Sequence, residues 1–127
     1  MVLKALLVCP DQALAEQFDG IMAGQPGMVV DLRLQDYPTP VQLSEGLEKH
    51  RFDVVLIDVG SDCERAVGLI DLVSDTWAQI SVMALNRDND PDVILRCLRS
   101  GCSEFLSHPF TASDLSQAVE RLIKRNP

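Results

Sequence analysis

Five short strand-like segments recur along the chain, each followed by a segment with helical spacing, and this alternation constrains the fold more than any other feature. They are Leu3 to Val8, Met28 to Leu34, Asp53 to Asp58, Ile80 to Leu85 and Glu104 to Ser107. Leu3 to Val8, a short and nearly continuous apolar run, suits a strand buried on both faces. Asp11 can cap a helix from Gln12 to about Ala23, with Leu14, Phe18, Ile21 and Met22 at helical spacing. Gly24 to Gly27 breaks the chain. Thr39 and Pro40 suit the N-cap and first turn of a second helix that runs to about His50. A polar Gly60-Ser61-Asp62 loop leads to a third helix near Glu64 to Ser74. Asp90-Pro91 opens a fourth, which Gly101 closes in the left-handed role. Thr111 with Asp114 three residues on reads as a capping box for a last helix to about Lys124.

Strands alternating with helices predict a parallel sheet covered on both faces, with short right-handed connections. The 127 residues, 46% apolar, suffice for one domain with one core. We read residues 1–124 as that domain and 125–127 as the start of a linker or tail. The net charge of −8 argues against a nucleic-acid or anionic-membrane surface, both of which need clustered cations. A basic partner protein is compatible with it. The four cysteines lack CxxC spacing and the chain has two histidines, so no zinc site is expected. The first residues are too short an apolar run to target or span a membrane. The expectation is a cytoplasmic protein with reduced thiols.

In a doubly wound sheet, ligands sit at the carboxyl ends of the strands, near the switch in strand order. The ends that meet there are Cys9-Pro10-Asp11, Asp58, Asn86 and His108. No GxGxxG or GxxxxGK[ST] loop is present. Cys9-Pro10-Asp11-Gln12 cannot form the phosphate loop of a flavin mononucleotide site. Two histidines leave little room for acid–base catalysis. The expectation is a protein that is not an enzyme.

Phe52 to Asp58 reads FDVVLID and Glu104 to Phe110 reads EFLSHPF. With the five-strand rhythm, these segments resemble the receiver domain of response regulators, the CheY-like fold. The resemblance covers roughly Leu3 to Lys124. It implies an α/β doubly wound, five-stranded parallel sheet in the order 2-1-3-4-5. It also implies that Asp58 is the phosphoacceptor, and that Phe105 is the aromatic that switches rotamer. Pro109-Phe110 matches a family pair whose preceding peptide bond is often cis. In the family, two acids after the first strand join the aspartate to hold Mg²⁺, a hard cation that prefers oxygen ligands. Here Cys9 and Pro10 stand at the acidic-pair positions. Asn86 stands at or near the Thr or Ser position, and His108 replaces a Lys with a weaker, pH-dependent charge. The pocket is therefore degenerate, and no cofactor is expected. Each residue keeps a second reading. Asp58 is a phosphoacceptor, or a solvated strand-end carboxylate or loop cap. Asp11 is a lone metal ligand or a helix cap. Cys9 is a small buried hydrophobe or a thiol sensor. His108 is a phosphoryl contact or a polar rim residue, and Asn86 a common loop residue.

The fourth helix carries Val93, Ile94, Leu95, Cys97 and Leu98, an arc wider than one buried stripe requires. Leu95 is then a candidate for exposure beside Phe105. In the resembled family this helix, the fifth strand and the fifth helix form a recurrent dimer and partner face. Scattered exposed apolar residues are also normal. The phrases ALLVCPDQALAEQF and FDVVLIDVG, with the missing acidic pair, are similar to the atypical receiver at the N-terminus of TadZ/CpaE proteins. That resemblance implies a covalently linked ParA/MinD-like ATPase domain beyond Pro127 and a part in placing the tight-adherence (Flp) pilus machinery. The leading expectation is a pseudo-receiver that dimerises or docks a protein partner. The alternative is a working phosphoacceptor receiver that uses Asp58.

Overall fold

The computed structural model describes residues 1–125, which form five parallel strands and five helices in strict alternation. The strands are β1 (Leu3–Val8), β2 (Met28–Leu34), β3 (Val54–Asp58), β4 (Ser81–Asn86) and β5 (Glu104–Ser107). The helices are α1 (Gln12–Met22), α2 (Pro40–Lys49), α3 (Cys63–Thr76), α4 (Pro91–Arg99) and α5 (Ala112–Arg125). The sheet order is β2-β1-β3-β4-β5, so the chain reverses direction across the sheet between β1 and β3. All five expected strands and helices are present, with ends that differ by one or two residues. Arg125, expected in the tail, closes α5. The rest of that expected tail, residues 126–127, lies outside the described residues.

The caps named by the sequence hold. The Asp11 side chain accepts from the Leu14 N–H at 3.1 Å. Thr39 and Gln42 bond reciprocally, as do Thr111 and Asp114. Each satisfies backbone N–H groups that a helix start leaves without partners. Gly101, at φ +110°, ends α4 in a conformation that costs a side-chain-bearing residue strain.

Strand alternation splits the core into two layers. Val54 and Leu56 pack with α1 and α5, beside Phe18, Leu115 and Leu122. Val55 and Ile57 face the opposite way, toward Leu43, Leu69, Ile70 and Cys97 of α2, α3 and α4. Asp58 ends the same strand fully buried. β2 departs from the expectation of a sheet covered on both faces. It is an edge strand, its register slips where it passes Ala5 and Leu6 of β1, and Val29 and Leu32 are about two-fifths exposed. A one-residue slip resets which side chains face a layer, and an edge has cover from one neighbour only. On β5, Glu104 is buried and accepts three hydrogen bonds from the Arg121 guanidinium of α5, at 2.7–3.1 Å. That fork offsets the cost of burying a carboxylate. Among the described residues, no helix is long and apolar enough to cross a membrane.

Candidate functional site

The carboxyl ends of β1, β3 and β4 bring Cys9, Asp11, Asp58 and Asn86 to one place, as the sheet topology requires. Asp58 is central. Its side chain is not the solvated strand-end carboxylate that one reading expected, because none of it is exposed. The Gly60 N–H donates to Oδ1 at 2.9 Å, and the Ser61 N–H reaches the same oxygen at 3.4 Å. The Ser61 hydroxyl donates to Oδ2 at 2.5 Å, and the Asp11 N–H donates to Oδ2 at 3.2 Å. Four donors from the chain itself therefore meet the two carboxylate oxygens. The loop-cap reading describes this geometry: the carboxylate folds the β3–α3 loop back on itself as an Asx turn does.

Two further residues complete the enclosure, and sequence reasoning missed both. The Tyr37 hydroxyl, from the β2–α2 loop, donates to the Asp58 carbonyl and accepts from the Asp62 N–H at 3.3 Å. Burial first, then the nearby Asp58, pushes the phenol upward from its ordinary pKa, so it remains a donor. Arg87, immediately after β4, places Nε 3.4 Å from Asp11 Oδ2. Asp11 is thus engaged on both oxygens, one by the start of α1 and one by Arg87. The position of Arg87 at the pocket edge was legible in the sequence. Its pairing with Asp11 was not.

Cys9 is buried, and its thiol donates to the Asp11 carbonyl at 3.2 Å. Burial, with Asp58 and Asp11 adding to it, pushes the thiol up to about 12. A thiol held neutral and covered lacks the thiolate and the access that sensing needs. The buried-hydrophobe reading of Cys9 describes it. His108 stands exposed on the rim. Its N–H donates to the Asn86 carbonyl at 2.8 Å, and no hydrogen bond or ion pair joins its imidazole to Asp58 among the described residues. The His108–Pro109 peptide is cis.

Asn86 is 2% exposed, and its Oδ1 is a buried oxygen without a hydrogen-bond partner. A Cβ on Gly60 would lie 2.5 Å from that oxygen and 3.6 Å from Asp58 Oδ1. Gly60 is therefore required here for space. The receiver-type Mg²⁺ site does not fit these residues. Asp11 has both oxygens committed, Asp58 is saturated by N–H and O–H donors, and Cys9 and Pro10 offer a covered thiol and no donor. A hard divalent cation needs several oxygen ligands turned toward one point. Among the described residues, Asn86 Oδ1 is the one buried side-chain oxygen without a hydrogen-bond partner.

The expected surface is present in part. Leu95 is 45% exposed on α4, and Leu98, one turn on, is 51% exposed. Phe105 is half-buried, packed against the α2–α4 layer.

No protein-family model and no curated protein matches the sequence. Solved structures do. A pilus assembly protein, CpaE, from Burkholderia thailandensis E264 superposes with a TM-score of 0.81 at 21% identity, over 98% of this chain and 99% of that one. A response regulator from Thermotoga maritima gives 0.79 at 18% identity, over 98% and 99% of the two chains. A CheY-like protein, TadZ, from Pseudomonas aeruginosa PAO1 gives 0.79 at 18% identity, over 94% and 98%. At such identities the likeness carries the fold: this chain has the CheY-like architecture, five parallel strands in the order 2-1-3-4-5 between two layers of helices.

Proposed function

We propose that this chain is a non-catalytic pseudo-receiver, an interaction module that works without phosphorylation. One observation carries the reading. The candidate phosphoacceptor, Asp58, is wholly buried, and both its oxygens are taken by donors of the same chain. An attacking carboxylate oxygen must be open to the phosphorus, and charge neutralisation must be at hand. The residues at the acidic-pair positions, Cys9 and Pro10, supply neither charge nor oxygen ligand.

The work then falls to a surface. The α4 face with Leu95 and Leu98, together with half-buried Phe105 on β5, is where we place self-association or partner docking. The likeness to CpaE and TadZ structures supports a role in assembling pilus machinery. On the sequence resemblance to TadZ/CpaE proteins, we place a ParA/MinD-like ATPase domain as the covalent partner beyond Pro127. We place the protein in the cytoplasm, with no nucleic-acid partner. Light scattering over a range of concentrations tests the reading. It predicts a dimer that dissociates in Leu95→Asp and Leu98→Asp and ignores acetyl phosphate with Mg²⁺. Unchanged mass together with unchanged partner binding in these variants, or a mass that shifts with the phosphoryl donor, contradicts it.

The second reading is a working phosphoacceptor receiver. The unpartnered Asn86 Oδ1 favours it, being an oxygen placed where a cation or a phosphoryl group could use it. It requires Asp58 to exchange its donors for a metal and a phosphoryl group, with Asp11 released from Arg87.

A further inference from the structure

A broad cleft lies at the opposite pole from Asp58. It has a volume of about 740 Å³, within the roughly 300–1,000 Å³ range of ligand-binding pockets. It opens at the amino ends of β3 and β4, between the α2–β3 loop, the α3–β4 loop and the end of α5. Phe52 and Ile80 form a buried apolar floor and Trp77 a half-exposed wall. Lys49, Arg51 and Arg125 stand exposed around it.

The cations without ion-pair partners gather at one pole. Of its 11 lysines and arginines, five are in ion pairs: Arg33, Arg65, Arg87, Arg96 and Arg121. The other six have no ion-pair partner among the described residues. Every one stands at or beside the amino ends of the strands, where β1 begins and where α2, α4 and α5 finish. Helix ends attract cations on their own account, and Lys49 and Arg125 close α2 and α5. Arg51 closes no helix, yet it lines the same cleft. Two acids line it too. Asp53 also accepts the Lys4 N–H at 2.9 Å, and with Glu48 it sets two carboxylates against three cations without ion-pair partners among the described residues. In a protein of net charge −8, this small local excess of positive charge sits over an apolar floor.

We propose that the cleft binds a small amphipathic anion, an apolar or aromatic group seated on Phe52, Ile80 and Trp77 with a phosphate or carboxylate held by Arg51, Arg125 and Lys49. The apolar part gains from leaving water, and the anion gains charge-assisted hydrogen bonds from guanidinium groups that have no competing partner. This binding is independent of the state of Asp58.

Trp77 is the only tryptophan, so its fluorescence and its indole N–H resonance report on the cleft alone. The probes are phenyl phosphate, phenylacetate, inorganic phosphate and benzyl alcohol. Saturable binding of a phenyl anion at low millimolar concentration or better is expected. Inorganic phosphate and benzyl alcohol should each bind at least tenfold more weakly, and Arg51→Ala with Arg125→Ala should weaken the anion about tenfold or more. Both positions are exposed, so the fold should survive, and circular dichroism verifies this. A preference for phenyl phosphate or for phenylacetate identifies the anionic group. Binding of benzyl alcohol as tight as that of the anions, anion binding unchanged in the double variant, or no saturation below about 30 mM overturns the proposal.

Discussion

Ser61 grips Asp58 twice: its hydroxyl donates to Oδ2 at 2.5 Å and its N–H reaches Oδ1 at 3.4 Å. The residue that follows the turn thus holds the carboxylate that makes the turn. Asp58→Asn would set an NH₂ group against N–H and O–H donors in a fully buried place. We expect a loss of about 2–3 kcal/mol, a Tm lower by roughly 8–12 °C. Ser61→Ala should cost about 1–2 kcal/mol. Thermal and urea melts check both. A carboxylate without a structural part would lose less than about 0.5 kcal/mol.

Gly60 and Asn86 form a steric pair. A Cβ at Gly60 meets Asn86 Oδ1 at 2.5 Å, on a short and buried side chain that has little room to withdraw. Gly60→Ala should destabilise by about 1–3 kcal/mol. In an Asn86→Ala background the cost should fall by at least half, because the obstacle is gone. A double-mutant cycle by urea unfolding measures this. Additive effects would show that the glycine serves something other than clearance.

The thiols divide by cover. Cys9, Cys97 and Cys102 are buried, while Cys63 is half-buried at the start of α3, with the Arg96 guanidinium 3.5 Å from its sulfur. Iodoacetamide at pH 8 should label Cys63 first in the native protein, and all four only in denaturant. Peptide mapping after brief labelling decides. Rapid modification of Cys9 would restore the thiol-sensor reading of the pocket.

The same burial links stability to pH. Burial, first among the causes, pushes Cys9 and Cys102 up to about 12 and Cys97 up to about 11, against an ordinary value of 9.0. Below pH 9 these thiols are protonated in both folded and unfolded chains, and their contribution is fully present. Above pH 9 the unfolded chain loses protons that the folded chain keeps. Stability should therefore fall from pH 9 toward pH 11–12. Tyr37, shifted upward as well, acts in the same direction at higher pH. Urea midpoints at pH 8, 9.5 and 10.5 should decline in order, with a shallower decline in Cys9→Ala.

The fold was nearly all legible because its signals are local. Each cap acts within three residues, Gly101 announces its own backbone, and the apolar runs mark the strands. What escaped was set by neighbours. Val29 and Leu32 look like core residues until β2 is known to be the edge. At the site, the place of Asp58 follows from where its strand ends, but its burial does not. Gly60 and Ser61, two and three residues on, were within reach of an Asx-turn reading of Asp58-Val59-Gly60-Ser61. Tyr37 lies 21 residues from Asp58 in the chain, and no local pattern joins them. Arg87 could be placed at the pocket edge from the sequence, while its choice of Asp11 depends on side-chain geometry.

The central claim is that the Asp58 pocket is closed to phosphoryl transfer. The direct measurement is the intact mass of the purified domain after incubation with acetyl phosphate and Mg²⁺, with an authentic receiver treated alongside. The account predicts an unmodified mass for this chain while the control gains its phosphoryl group. A single phosphoryl adduct that disappears in Asp58→Asn would contradict it and establish Asp58 as a phosphoacceptor.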